Sequence, residues 1–136
     1  MKKDIEILEV EGVFVAVVKG TNEAEEVEWN VVLINGNEEK IHSVFVTSKG
    51  YTPKDENGES KQTSTLRHFF PNVDSQRYVR VEPIMPELFH LFNEYWVSYY
   101  IGDKIYDKKF IFVPDSITEE NLIDIPDLGL LGVVHK

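Results

Sequence analysis

The chain contains no cysteine. Disulfides, thiolate nucleophiles, Cys-ligated zinc and iron–sulfur clusters are thereby excluded. It is short of base: 14 Lys and Arg stand against 24 Asp and Glu, for a formal charge of −10. Sequence-independent nucleic-acid binding needs an excess of cations against phosphate, so a nucleic-acid partner is not expected. Long apolar runs are also missing. The longest near the start is Val13–Val18, far short of the roughly 20 residues of a membrane helix. Met1-Lys2-Lys3 is followed at once by Asp4, Glu6, Glu9 and Glu11, with no apolar segment of a secretory signal. No membrane partner and a cytoplasmic protein starting at Met1 are the expectations.

What is present is ordinary for a globular protein: 136 residues, 42% hydrophobic and 12% aromatic. That length suits one domain of roughly 100–150 residues, and neither an internal repeat nor a linker divides it. A single β-rich domain over residues 1–136 is expected.

The pattern along the chain is β. Gly12–Lys19 and Val27–Ile34 are Val-rich runs on either side of an acidic loop. Asn35-Gly36-Asn37 then precedes Ile41–Ser48, and Asn-Gly between apolar runs predicts a hairpin. Lys49–Ser64 is polar and reads as a long surface loop, or as a hairpin tip with strand ends. Thr65–Phe70 and Arg77–Glu82 read as further strands. Leu88, Leu91 and Phe92 have helical spacing, so Glu87–Asn93 predicts one short helical turn. Ser116 or Thr118 before Glu119–Asn121 predicts a second short helix, ended by Pro126 and Gly129. Leu130–Val134 is either an edge strand or a segment packed on the core.

Glu94–Val113 is the clearest element. Seven of the sixteen aromatics lie in Tyr95–Phe112, and Gly102-Asp103 is a two-residue hairpin pair. Counting outward pairs Ile101 with Lys104, Tyr99 with Tyr106, Val97 with Lys108, and Tyr95 with Phe110. One face carries Tyr95, Val97, Tyr99, Tyr106, Phe110 and Phe112, with Lys108 its sole charge; this is the predicted core face. The other carries Trp96, Ser98, Tyr100, Ile105, Asp107, Lys109 and Ile111.

Strand signals at roughly ten-residue spacing with little helix predict an all-β fold. The expected form is an antiparallel β-sandwich, immunoglobulin-like in one version, with one or two short helices. An α+β arrangement is the alternative.

The charge is uneven: −7 over residues 1–39, +3 over 40–80 and −6 over 81–136. The basic middle comprises Lys40, Lys49, Lys54, Lys61, Arg67, Arg77 and Arg80. Cross-strand pairing is the plainer account of it than a partner-binding patch.

Catalytic motifs are missing. His42, His68, His90 and His135 form no HxH or HExxH pair, although His42 and His68 could approach across strands. There is no GxSxG elbow and no P-loop around Ser48-Lys49-Gly50. No metal, cofactor or catalytic residue is assigned. Two candidate sites remain. Trp96 and Tyr100, beside Ile105 and Ile111 and joined by Trp29, would make an apolar stripe covered by the chain itself, by a protein partner or second copy, or by a small molecule. Lys49, Tyr51, Arg67 and His68 would make a ligand-binding or enzymatic site near the 47–69 loop, where loops carry function.

The strings Lys2-Lys3-Asp4-Ile5-Glu6, Trp29-Asn30, Val46-Thr47-Ser48-Lys49-Gly50-Tyr51, Ser64-Thr65-Leu66-Arg67-His68, Glu94-Tyr95-Trp96-Val97 and Tyr106-Asp107-Lys108-Lys109 resemble a family of small bacterial proteins of about this length. Some members carry the label phenylalanyl-tRNA synthetase alpha subunit. The resemblance spans nearly the whole chain and implies a cytoplasmic compartment. Through that label alone it implies an RNA or translation-associated role. Leu66-Arg67-His68-Phe69 has no acidic residue after its arginine, so no catalytic residue carries over.

Overall fold

The computed structural model describes residues 7–8, 10–125 and 128–135. The N-terminal reading over Met1–Glu6 and the helix-ending role of Pro126 lie outside the described residues.

The fold is an all-β sandwich of two five-stranded sheets. In chain order the strands are β1 (Ile7–Leu8), β2 (Val13–Thr21), β3 (Val27–Asn35), β4 (Ile41–Tyr51), β5 (Leu66–Val73), β6 (Arg77–Pro83), β7 (Phe92–Ile101), β8 (Lys104–Phe112), β9 (Ile123–Ile125) and β10 (Leu130–His135). One sheet, here sheet A, has the order β1-β8-β7-β4-β5; sheet B has the order β6-β3-β2-β10-β9. All pairings are antiparallel except β1 with β8. Strands β2–β8 follow the order of an immunoglobulin-like sandwich, with β2-β3-β6 facing β8-β7-β4-β5.

Alternation builds the core. Val13, Val15 and Val17 of β2 face Val44, Val46, Tyr95, Val97 and Phe110 of sheet A in one buried cluster. The alternate residues Ala16 and Val18 pack with Val32 and Ile34 in a second cluster on the outer side of sheet B, against Phe14, Ile125, Leu128 and Leu130. Covering both faces explains why β2 reads as one continuous apolar run.

The β7–β8 register is the one that counting predicts, from Ile101↔Lys104 to Tyr95↔Phe110. Gly102 adopts φ 62° there, as such a turn requires. Tyr95, Val97, Tyr99, Phe110 and Phe112 are buried. The ammonium of Lys108, the charge on this face, lies 4.8 Å from the Phe110 ring centre.

Three expectations need correction. Asn35-Gly36 does not close a hairpin, because β3 and β4 belong to different sheets. The Asn35 side chain is fully buried and donates to the carbonyls of Glu39 and Val73, at 2.9 and 3.0 Å. Its amide thus braces a sheet-to-sheet crossing. The β5–β6 crossing lies beside it, where Gln76 donates to the carbonyls of Gly36 and Asn37. The two predicted helices are 3₁₀ turns, Pro86–His90 and Glu119–Asn121. Thr118 precedes the second without capping it, and Ile123–Ile125 is already strand. Finally, β10 is an inner strand between β2 and β9 rather than an edge.

Candidate functional site

The outer face of sheet A is rich in exposed aromatics. On β4 the core residues Val44, Val46 and Ser48 alternate with outward Phe45, Thr47, Lys49 and Tyr51. On β7 the outward set is Phe92, Glu94, Trp96, Ser98 and Tyr100. Phe45 and Phe69 of β5 are each 53% exposed and their ring centres lie 4.9 Å apart. Trp96 is 47% exposed; its indole N–H donates to Asp107, and the Lys109 ammonium lies 4.8 Å from its ring centre. Tyr100 stacks on His42 at 5.6 Å. The second predicted face of the hairpin is therefore uncovered at its centre, in contrast to the outer side of sheet B.

Trp29 is not part of this stripe. It is buried in the core from sheet B, edge-on to Phe89 at 5.1 Å. Its inward position on β3 follows from Val31 and Leu33, which share its parity.

The Lys49, Tyr51, Arg67 and His68 group divides. Lys49 and Tyr51 lie on the outer face beside Glu94, with Lys49 Nζ 3.8 Å and Tyr51 Oη 3.4 Å from its carboxylate. Lys109 approaches the same carboxylate at 3.9 Å. Burial, then the Glu94 charge and hydrogen bond, push the Tyr51 phenol pKa up. A groove of about 480 Å³ beside the 52–61 loop is lined by Lys49, Tyr51, Phe92 and Glu94, but not by Arg67 or His68. Arg67 is exposed on β5 opposite Thr47. His68 faces the other way, into the sandwich.

There His68 meets a residue that sequence reading missed. Its Nε2 lies 2.7 Å from Glu82 Oε1, and Ser48 Oγ donates to that same oxygen at 2.6 Å. Glu82 reaches the interior through a β-bulge. Val31 pairs with Glu82 and Val32 with Arg80, which leaves Val81 as an extra residue on β6. The bulge resets the alternation, so Val81 and Glu82 both turn inward. Tyr95 stands close by, and burial followed by the Glu82 charge raises its phenol pKa strongly. Ser48 and His68 each bond Glu82 rather than one another, so the cluster fixes a carboxylate and does not pair a serine with an imidazole base.

His42 and His68 do not converge. His42 lies 2.8 Å from the Gly102 carbonyl and stacks outside the sheet. Nor do the basic side chains of the middle segment share a face: Lys49 and Arg67 lie on sheet A, while Arg77 and Arg80 lie on β6 of sheet B.

No family model, no curated protein and no solved structure matches this chain. Among the described residues, no helix is long and apolar enough to cross a membrane.

Proposed function

We propose that this protein is a non-catalytic module that self-associates, pairing the outer face of sheet A with the same face of a second copy. The carrying observation is the exposure of Phe45, Phe69 and Trp96 together on that face. Exposed apolar patches of this kind mark interaction sites.

Two features favour a second copy as the occupant. The first is charge. Strands β4, β5, β7 and β8 present Lys49, Arg67 and Lys109 against Glu94 and Asp107, a balance of +1 on a chain of −10. Two copies meeting here avoid the acidic remainder of their surfaces. The second is area. Four strands about 4.8 Å apart and about nine residues long give a flat face of roughly 600 Å² before side-chain relief is counted. A standard interface takes about 800 Å² from each partner, so one sheet-on-sheet contact is of the right size. An isologous pair also closes on itself. Light scattering over a wide concentration series tests the reading: a monomer–dimer transition supports it, and a monomer at every concentration opposes it.

A further inference from the structure

A cavity of about 180 Å³ lies between the sheets, beneath the β5 and β6 edges. Its mouth carries exposed Ser64 and Leu66, and buried Ser48 and Tyr95 form its depth. That is room for about six waters at ~30 Å³ each. It is smaller than the ~300–1,000 Å³ of drug-sized pockets. Any ligand is therefore a small one.

The polar groups specify its charge. Glu82 is turned into the cavity by the Val81 bulge. Ser48 and His68 bond one of its oxygens; the other, Oε2, has no hydrogen bond among the described residues. No Lys or Arg side chain pairs with it among the described residues; Lys49 also lines the cavity, but its ammonium pairs with Glu94 on the outer face. Tyr95 is only 2% exposed and lines the cavity, with no hydrogen bond to its hydroxyl among the described residues. Ser48 Oγ spends its proton on Glu82 and keeps lone pairs free.

We propose that this cavity binds a small organic ammonium, with the nitrogen at Glu82 and the alkyl body against Leu66, Ile84 and Leu88. An ammonium carries three N–H donors. Glu82, Tyr95 and Ser48 all line the cavity, and each carries an oxygen that can accept. A carboxylate favours a charged donor over a neutral one, because charge-assisted hydrogen bonds are roughly twice as strong. Its depth lies between the sheets, at Ser48, Glu82 and Tyr95, and Lys49 is the residue it shares with the outer face of sheet A.

The test is a titration of the full chain with n-butylammonium chloride at pH 8, read by the methyl NMR shifts of Leu66, Ile84 and Leu88. Butan-1-ol and butyrate serve as neutral and anionic isosteres. Saturable shifts with n-butylammonium, binding roughly tenfold weaker with the alcohol, and none with butyrate support the site. Glu82→Gln keeps the side-chain size and should remove the preference for ammonium over alcohol. If Glu82→Gln does not fold, Tyr95→Phe removes one acceptor and should weaken ammonium binding alone. The proposal is overturned by alcohol binding as tightly as ammonium, by variants that bind ammonium unchanged, or by the absence of saturable shifts.

Discussion

His68 on β5 and Glu82 on β6 are joined by a 2.7 Å hydrogen bond between edge strands of opposite sheets. The same Glu82 oxygen receives Ser48 from the neighbouring inner strand. This carboxylate is therefore a polar tie between the two sheets at their β5 and β6 edges.

Removing that tie should lower stability. Glu82→Ala leaves the Ser48 hydroxyl, 3% exposed, without its acceptor. A buried polar group left unpaired costs about 1–3 kcal/mol. Urea unfolding should show a lower midpoint for Glu82→Ala. Glu82→Gln should lose less, because its amide oxygen still accepts both donors.

Asn35 should be more sensitive still. Its Nδ2 donates to two carbonyls and its Oδ1 accepts from the Asn37 N–H. Asn35→Ala strips partners from buried backbone groups at the β3–β4 crossing, at a cost of about 2–3 kcal/mol. The same denaturation measurement checks it. A loss below that of an ordinary surface substitution, within about 0.5 kcal/mol, would contradict the bracing role.

These two residues also mark where sequence reading succeeds and fails. The β7–β8 register was legible because a two-residue Gly102-Asp103 turn and strict alternation determine it locally. Asn35-Gly36 carries the same hairpin signal, yet the chain leaves the sheet there. The outcome depends on a buried amide meeting Val73, 38 residues away, which no local pattern displays. Glu82 was illegible for a related reason: its inward turn follows from a bulge set by pairing with β3. Phe45 was legible in principle, because it alternates with the core residues Val44 and Val46. Trp29 was legible too, because it shares the parity of the core residues Val31 and Leu33 and so turns inward rather than joining the aromatic stripe.

Alkaline conditions should destabilise the fold. Tyr95 and Tyr99 are both raised above the ordinary tyrosine value of 10.0, chiefly by burial. Above that pH the unfolded chain ionises these phenols while the folded chain keeps them protonated. The unfolded state then binds fewer protons, so stability falls as pH rises from about 10. Absorbance at 295 nm should show these two phenols ionising only as the protein unfolds. Replacing both by Phe should flatten the decline, and an unchanged decline would count against burial as its cause.

The central claim is that two copies meet through the outer face of sheet A. Sedimentation equilibrium of the wild type, of Phe45→Ser/Trp96→Ser, and of Ile123→Ser tests it most directly. Ile123 is 51% exposed, similar to Phe45 and Trp96, but lies on β9 of sheet B. The account predicts a dimer for the wild type and for Ile123→Ser, and a folded monomer for the double variant. A monomeric wild type, or a double variant that is folded and still dimeric, would contradict it.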